Sequence, residues 1–183
     1  MYKKLALSLL LCFLLILPTF SFAEDTQKVV PGLGTLTIPS GIEVIPFSKN
    51  AINTNGDTLL KKENGIWYSI QIITSPLQQL AQQSLEKNFY TLNSILDGII
   101  EDEKAGHQDS KTLLNTVLKS SITNNAPSLT KTTKVFMNGY VVHMDFYIMQ
   151  STDYPIMIVL ISTDIESEYW KPIISKILNN IKR

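Results

Sequence analysis

Three Asn-Gly pairs, at 55–56, 64–65 and 138–139, each lie between β-prone segments. A two-residue type I′ turn needs positive φ at both central residues, and Asn followed by Gly meets that need at least cost. The pairs therefore predict antiparallel hairpins. Asn55-Gly56 separates AINT from DTLL, Asn64-Gly65 separates LLKKE from IWYSIQII, and Asn138-Gly139 separates KTTKVFM from YVVHMDFYIMQ. Shorter β-like pieces at 35–38 and 42–45 flank the turn Pro39-Ser40-Gly41.

Alternation assigns the faces. In 66–73, Ile66, Tyr68, Ile70 and Ile72 form the more uniformly apolar set, which leaves Trp67 opposite, under a loop or helix. In the 140s, Tyr140, Val142, Met144, Phe146 and Ile148 share one face, with Val141, His143, Asp145, Tyr147 and Met149 on the other. The run IMIVLIS at 156–162 is apolar on both faces. A strand of that kind is covered on both sides, so it belongs at the centre of the sheet.

Apolar residues at spacings of three and four, from Leu77 through Leu85, Leu92 and Leu96 to Ile99, predict one long helix opened by Ser75-Pro76. The charged stretch EDEKAGHQDS reads as a loop. A shorter helix follows, capped by Asp109 or Ser110 and carrying Leu113, Leu114, Val117, Leu118 and Ile122; TNNAPSLTK is then a loop. A C-terminal helix, capped by Asp164 and running from about Glu166, has Trp170, Ile173, Ile174, Ile177, Leu178 and Ile181 as its stripe, with a kink or a division into two short helices at Pro172. Segregated strands and helices define an α+β fold: an antiparallel sheet covered by one long helix, a shorter helix and a C-terminal helix.

The N-terminus has the three-part layout of an export signal. Lys3 and Lys4 precede an apolar run over 5–17, Pro18 ends it, and Ser21-Phe22-Ala23 offers small residues for cleavage after Ala23. The run is shorter than the roughly 20 apolar residues of a spanning helix. The expected organisation is a signal peptide at 1–23, a frayed polar segment at 24–30 and one domain over 31–183. Cys12 follows Leu11, not the small residue a lipidation signal requires, and leaves with the signal. The mature chain then has no cysteine, which excludes disulfides, Cys-rich zinc and thiol chemistry. Losing Lys3 and Lys4 leaves a small acidic excess, which gives no electrostatic case for nucleic acid or anionic lipid.

This layout resembles the PsbP-like α-β-α sandwich of small exported bacterial proteins. The likeness is carried by the opening GLGTLTIPSGIEVI, the NGY turn at 138–140 leading into a long strand, and the ending STDIESEYWKPIISKILNNIKR. It spans most of 30–183. The resemblance implies binding and assembly roles, and it brings no shared catalytic residues.

Candidate sites are few. His143 and Asp145 point the same way on one strand, as a proton-transfer pair or half a metal site would. The other histidine, His107, lies in the charged stretch. Glu101, Asp102, Glu103 and Asp109 are hard oxygen ligands of the type calcium prefers, without the EF-hand spacing, and read as solvated surface. No G-x-S-x-G occurs, and the GLG at 32–34 lacks the rest of a phosphate-loop fingerprint. Trp67, Trp170, Tyr140, Tyr147 and Tyr154 are the aromatics suited to a cleft. The expectation is therefore no catalytic, metal or cofactor set. The candidate partner surface comprises Trp67, Tyr140, His143, Asp145, Tyr147 and Trp170. The expected role is an exported, non-enzymatic binding or assembly module of the cell envelope, whose partner is an envelope protein or peptide. The alternative is an envelope enzyme or metal-dependent protein using His143 and Asp145.

Overall fold

A computed structural model describes residues 24–49, 54–80, 84–107 and 109–182. The expected signal peptide and its cleavage point after Ala23 lie outside these residues. An eight-stranded sheet runs in the order β3 (Glu43–Lys49), β4 (Thr54–Glu63), β5 (Ile66–Pro76), β10 (Ile156–Thr163), β9 (Tyr140–Met149), β8 (Ala126–Met137), β6 (Lys111–Asn115), with β7 (Lys119–Thr123) also on β8. Every pairing is antiparallel. A separate hairpin, β1 (Thr26–Val30) with β2 (Gly34–Ile38), is tied to the C-terminus by a two-way backbone bridge between Thr35 and Lys182.

The central strand is the greasy one. Ile156 to Leu160 of β10 are all buried, and their alternation feeds two cores. Ile158 and Leu160 pack with Ile70, Ile72, Trp170 and Ile174 on one face. Met157 and Val159 pack with Phe146, Leu92 and Leu96 on the other. Helix α1 (Phe89–Ala105) covers the second face through Leu92, Leu96 and Ile100, spaced four apart. Helix α2 (Asp164–Asn179) and the β1–β2 hairpin cover the first. The result is the expected α+β sandwich.

Two Asn-Gly turns form as the sequence predicts: Asn64 and Gly65 have φ of 51° and 80°, Asn138 and Gly139 of 53° and 82°. The third differs. Asn55-Gly56 lies inside β4, where Gly56 pairs with Phe47 and Ile73. A β-carbon on Gly56 would stand 2.4 Å from the Phe47 ring, so this glycine admits an aromatic rather than making a turn. Conversely, Asn124 and Asn125, with φ of 52° and 57°, turn β7 into β8 where a plain loop was expected.

The helix content is also redistributed. Ser75-Pro76 does not open a helix, because β5 continues to Pro76 against Met157 and Ile156 of β10. Among the described residues a 3₁₀ turn follows at Gln78–Leu80, and α1 starts at Phe89. Glu101 to Ala105, expected in a loop, complete α1. The expected shorter helix over 109–122 is strands β6 and β7. Its apolar stripe cannot reach a core, since Leu113, Val117 and Ile122 are 51%, 77% and 76% exposed while Leu118 alone turns inward. Residues 26–30, expected to be frayed, form β1. Trp67 and Ile66, expected under cover and in the core, are both exposed.

Thr163, rather than Asp164, caps α2. Its hydroxyl accepts from the Glu166 amide and the Glu166 carboxylate accepts from the Thr163 amide, a reciprocal capping box. The helix passes through Pro172 as one element rather than dividing into two short helices. Glu166 Oε1 also accepts from the Ser69 amide at 2.8 Å and the Ser69 hydroxyl at 3.1 Å, which pins α2 to β5 beyond the last β10 pairing.

Candidate functional site

The polar residues of the β9 face toward α2 form one network. His143 Nε2 lies 3.2 Å from Asp145 Oδ1, and its Nδ1 lies 3.3 Å from Asp164 Oδ1 in the first turn of α2. Thr132 of β8 donates its hydroxyl to Asp145 Oδ1 at 2.5 Å, and Lys134 Nζ reaches Asp164 Oδ1 at 2.6 Å. The register explains the grouping, since β8–β9 pairing sets Thr132 opposite Asp145 and Lys134 opposite His143.

The electrostatics follow from the contacts. The hydrogen bond to Asp145 raises the His143 pKa above its ordinary value of 6.5, against an opposing desolvation, with Asp164 adding to the rise. Burial works to raise Asp145, but its hydrogen bonds from His143 and Thr132 outweigh that and leave it lowered. The Lys134 ammonium holds Asp164 below the carboxylate range. Burial, with the Asp145 charge, pushes the Tyr147 phenol up to about 12.

His143, Asp145, Tyr147 and Trp170 line one small space of about 20 Å³, shared with Ser162, Ser167 and Lys171. That is room for about one water molecule. The two carboxylates sit on opposite ring nitrogens of His143, so the three do not converge, and among the described residues no group of three metal-ligating side chains does. His107 lies beyond the end of α1 and is not among the His143 partners. Trp170 is fully buried, whereas Trp67 and Tyr140 are 56% and 66% exposed and are not part of this lining. Lys62 stands 5.5 Å from the Trp67 ring centre. Tyr154 packs against the core on the α2 side. The six candidate residues therefore divide into an inward four and an outward two.

The large opening lies elsewhere. A cleft of about 840 Å³ is walled by the β1–β2 turn at 32–34, the segment 84–86, Ala126 and Pro127 at the start of β8, and residues 150–152 after β9. Gly32, with φ of 78°, lies so near the β9–β10 connection that a β-carbon there would stand 3.4 Å from Ser151 Oγ, and 3.3 Å from Ile156 Cδ1 at the start of β10. Leu33, Leu85 and Ala126 give it an apolar floor. Sequence reasoning singled out none of these residues as a site. Residues 84–86 read as the middle of a helix, and the GLG turn was weighed only as a phosphate loop.

No family model matches this sequence, and no curated protein matches it. Solved structures do. The chain is similar to the solution structure of cyanobacterial PsbP (CyanoP) from Synechocystis sp. PCC 6803, with a TM-score of 0.59 and 9% identity over 87% of this chain and 92% of that one. It is also similar to a protein of unknown function from Pseudomonas aeruginosa, with a TM-score of 0.47, 9% identity, and 87% and 97% of the two chains covered. The third is LpqN of Mycobacterium tuberculosis, described as involved in cell envelope biogenesis, with a TM-score of 0.46, 12% identity, and 85% and 87% covered. The fold is PsbP-like, as the sequence resemblance implied. Among the described residues no helix is long and apolar enough to cross a membrane.

Proposed function

We propose that this chain is an exported, non-catalytic binding module of the cell envelope whose ligand enters the cleft between residues 32–34, 84–86 and 150–152. One comparison carries the reading. Among the described residues the histidine–carboxylate cluster, His143 with Asp145 and Asp164, borders only about 20 Å³, and no hydrogen-bonded base–nucleophile pair lines the 840 Å³ cleft. General acid–base work needs the group within hydrogen-bond reach of a bound substrate. A cleft with an apolar floor and a few polar groups at its wall suits recognition instead. The lysine pair, the apolar run and the small residues Ser21 and Ala23 support export.

A photo-crosslinking residue at position 152, on the cleft and exposed, tests the binding role in the native envelope. Discrete adducts are expected, equally with His143→Gln. An envelope hydrolase activity that His143→Ala abolishes would overturn the reading. Intact mass of the native product tests export, with a chain beginning at Glu24 as the expected result.

A further inference from the structure

The cleft has a polarity of its own. Its lining contains no Lys, Arg or His, and its single ionisable side chain is the exposed Glu86, which has no ion-pair partner among the described residues. Gln150 donates from Nε2 to the Ser151 carbonyl at 3.2 Å, leaving its Oε1 buried without a donor. Ser151 donates its hydroxyl to the Tyr154 carbonyl at 2.6 Å. The Ser84 hydroxyl accepts from the Lys87 amide at 3.4 Å. The buried Gln150 oxygen is out of a ligand's reach in this conformation, and the Ser84 and Thr152 hydroxyls of the lining can donate as well as accept, so what sets the polarity of the cleft is its one formal charge, Glu86. A carboxylate with no cation in the lining attracts positive charge and disfavours anions, and its sequence neighbour Lys87 stands outside the lining. Around it, Leu33, Leu85, Ala126 and Pro127 offer apolar contact.

The geometry points to a ligand with an apolar body and a protonated amine head, its chain against Leu33 and Leu85 and its ammonium drawn to Glu86. This rests on the cleft being the binding site. Ligands headed by phosphate or carboxylate are disfavoured, since the lining offers hydroxyls but no counter-charge.

The test is a titration of the isotope-labelled chain, followed by amide NMR, with n-octylamine, 1-octanol and octanoate at about pH 7, where the amine is protonated and the acid ionised. Octylamine is expected to bind about threefold or more tighter than octanol, the range of an exposed ion pair, with octanoate weaker than both. The amides of Gly32, Leu85 and Ser151 should shift. Glu86→Gln should remove the preference for the amine and leave octanol binding unchanged. If octanol or octanoate binds as well as octylamine while the same amides shift, the ligand class is wrong and the cleft remains a site. If none of the three probes moves those amides in a folded chain, the cleft is not a ligand site, and both this assignment and the reading beneath it fall.

Discussion

Lys131 of β8, 3% exposed, points into the α1 side of the sandwich with its Nζ 2.9 Å from Asp97 Oδ1 and 3.2 Å from Asn93 Oδ1. The Lys131 hydrogen bond is the largest of the influences that lower the Asp97 pKa. Asn115 extends the network, donating to Asp97 at 3.3 Å and accepting from Thr133 at 3.1 Å. A charged group lies under a helix because the helix brings the matching carboxylate.

Removing one partner and replacing the other should differ in cost. Asp97→Ala leaves a buried ammonium short of its counter-ion and should destabilise by about 2 kcal/mol; Asp97 is 44% exposed, so water offsets part of the loss. Lys131→Met keeps the volume without the charge and should stay within about 1 kcal/mol of the parent. Urea unfolding of both variants checks the order, and equal losses would count against the ion pair as the reason for the buried lysine.

His143 predicts a pH dependence with a definite sign. Its folded pKa is raised above 6.5, so its stabilising contribution is complete below about pH 6.5 and fades as pH rises through the folded value. The groups facing it are Asp145 of β9, Asp164 and Lys171 of α2, Lys134 of β8 and the Tyr147 phenol. Asp145 and Asp164 are lowered, so their contribution is present above about pH 4 and is lost as pH falls below it. The gap in melting temperature between the parent and His143→Gln should therefore be wider near pH 5 than near pH 8. A gap that widens at the alkaline end would contradict this network.

The sheet was legible in the sequence where local chemistry and tertiary pairing agree. The turns at 64–65 and 138–139 need nothing beyond their own φ angles, and β10 is apolar on both faces because both faces are covered. Misreadings occurred where a local signal competed with a partner distant in sequence. Ser75-Pro76 carries a helix-start signature, yet β10 claims its backbone. The leucines of 113–118 repeat at helical spacing, yet β8 supplies a free edge. Of the candidate site, the facing of His143 and Asp145 could be read from alternation, but Asp164 and Lys134 reach them only through α2 and β8. The cleft joins four separate chain segments, and no motif in any of them announces the others.

Two glycines should respond oppositely to the same substitution. Gly65 has φ of 80° with no atom near its absent side chain, so Gly65→Ala costs only the left-handed backbone, about 1 kcal/mol. Gly98 lies mid-way along α1, also with open space around it, so Gly98→Ala should stabilise by about 0.5–1 kcal/mol. Thermal unfolding of the pair separates turn geometry from packing, since neither substitution meets a neighbour. A stabilised Gly65→Ala would mean that the turn is not type I′.

Trp170 links the core to the polar network. It is fully buried and lines the small space beside His143, with no acceptor for its Nε1 among the described residues and its ring edge-on to Tyr169 at 5.6 Å. A buried N–H without an acceptor costs about 1–3 kcal/mol, so Trp170→Phe deletes a penalty along with the lost ring area and should cost only about 1 kcal/mol. Trp170→Ala removes the whole side chain and should cost about 3–5 kcal/mol. Chemical unfolding measures both. The Ala variant also enlarges the 20 Å³ space and admits water to the imidazole. Desolvation now holds the His143 pKa down, so hydration should move its titration further upward, readable by NMR of the ring protons. If His143 instead titrates lower in Trp170→Ala, the tryptophan holds the carboxylates in place rather than excluding water, and the network depends on its packing.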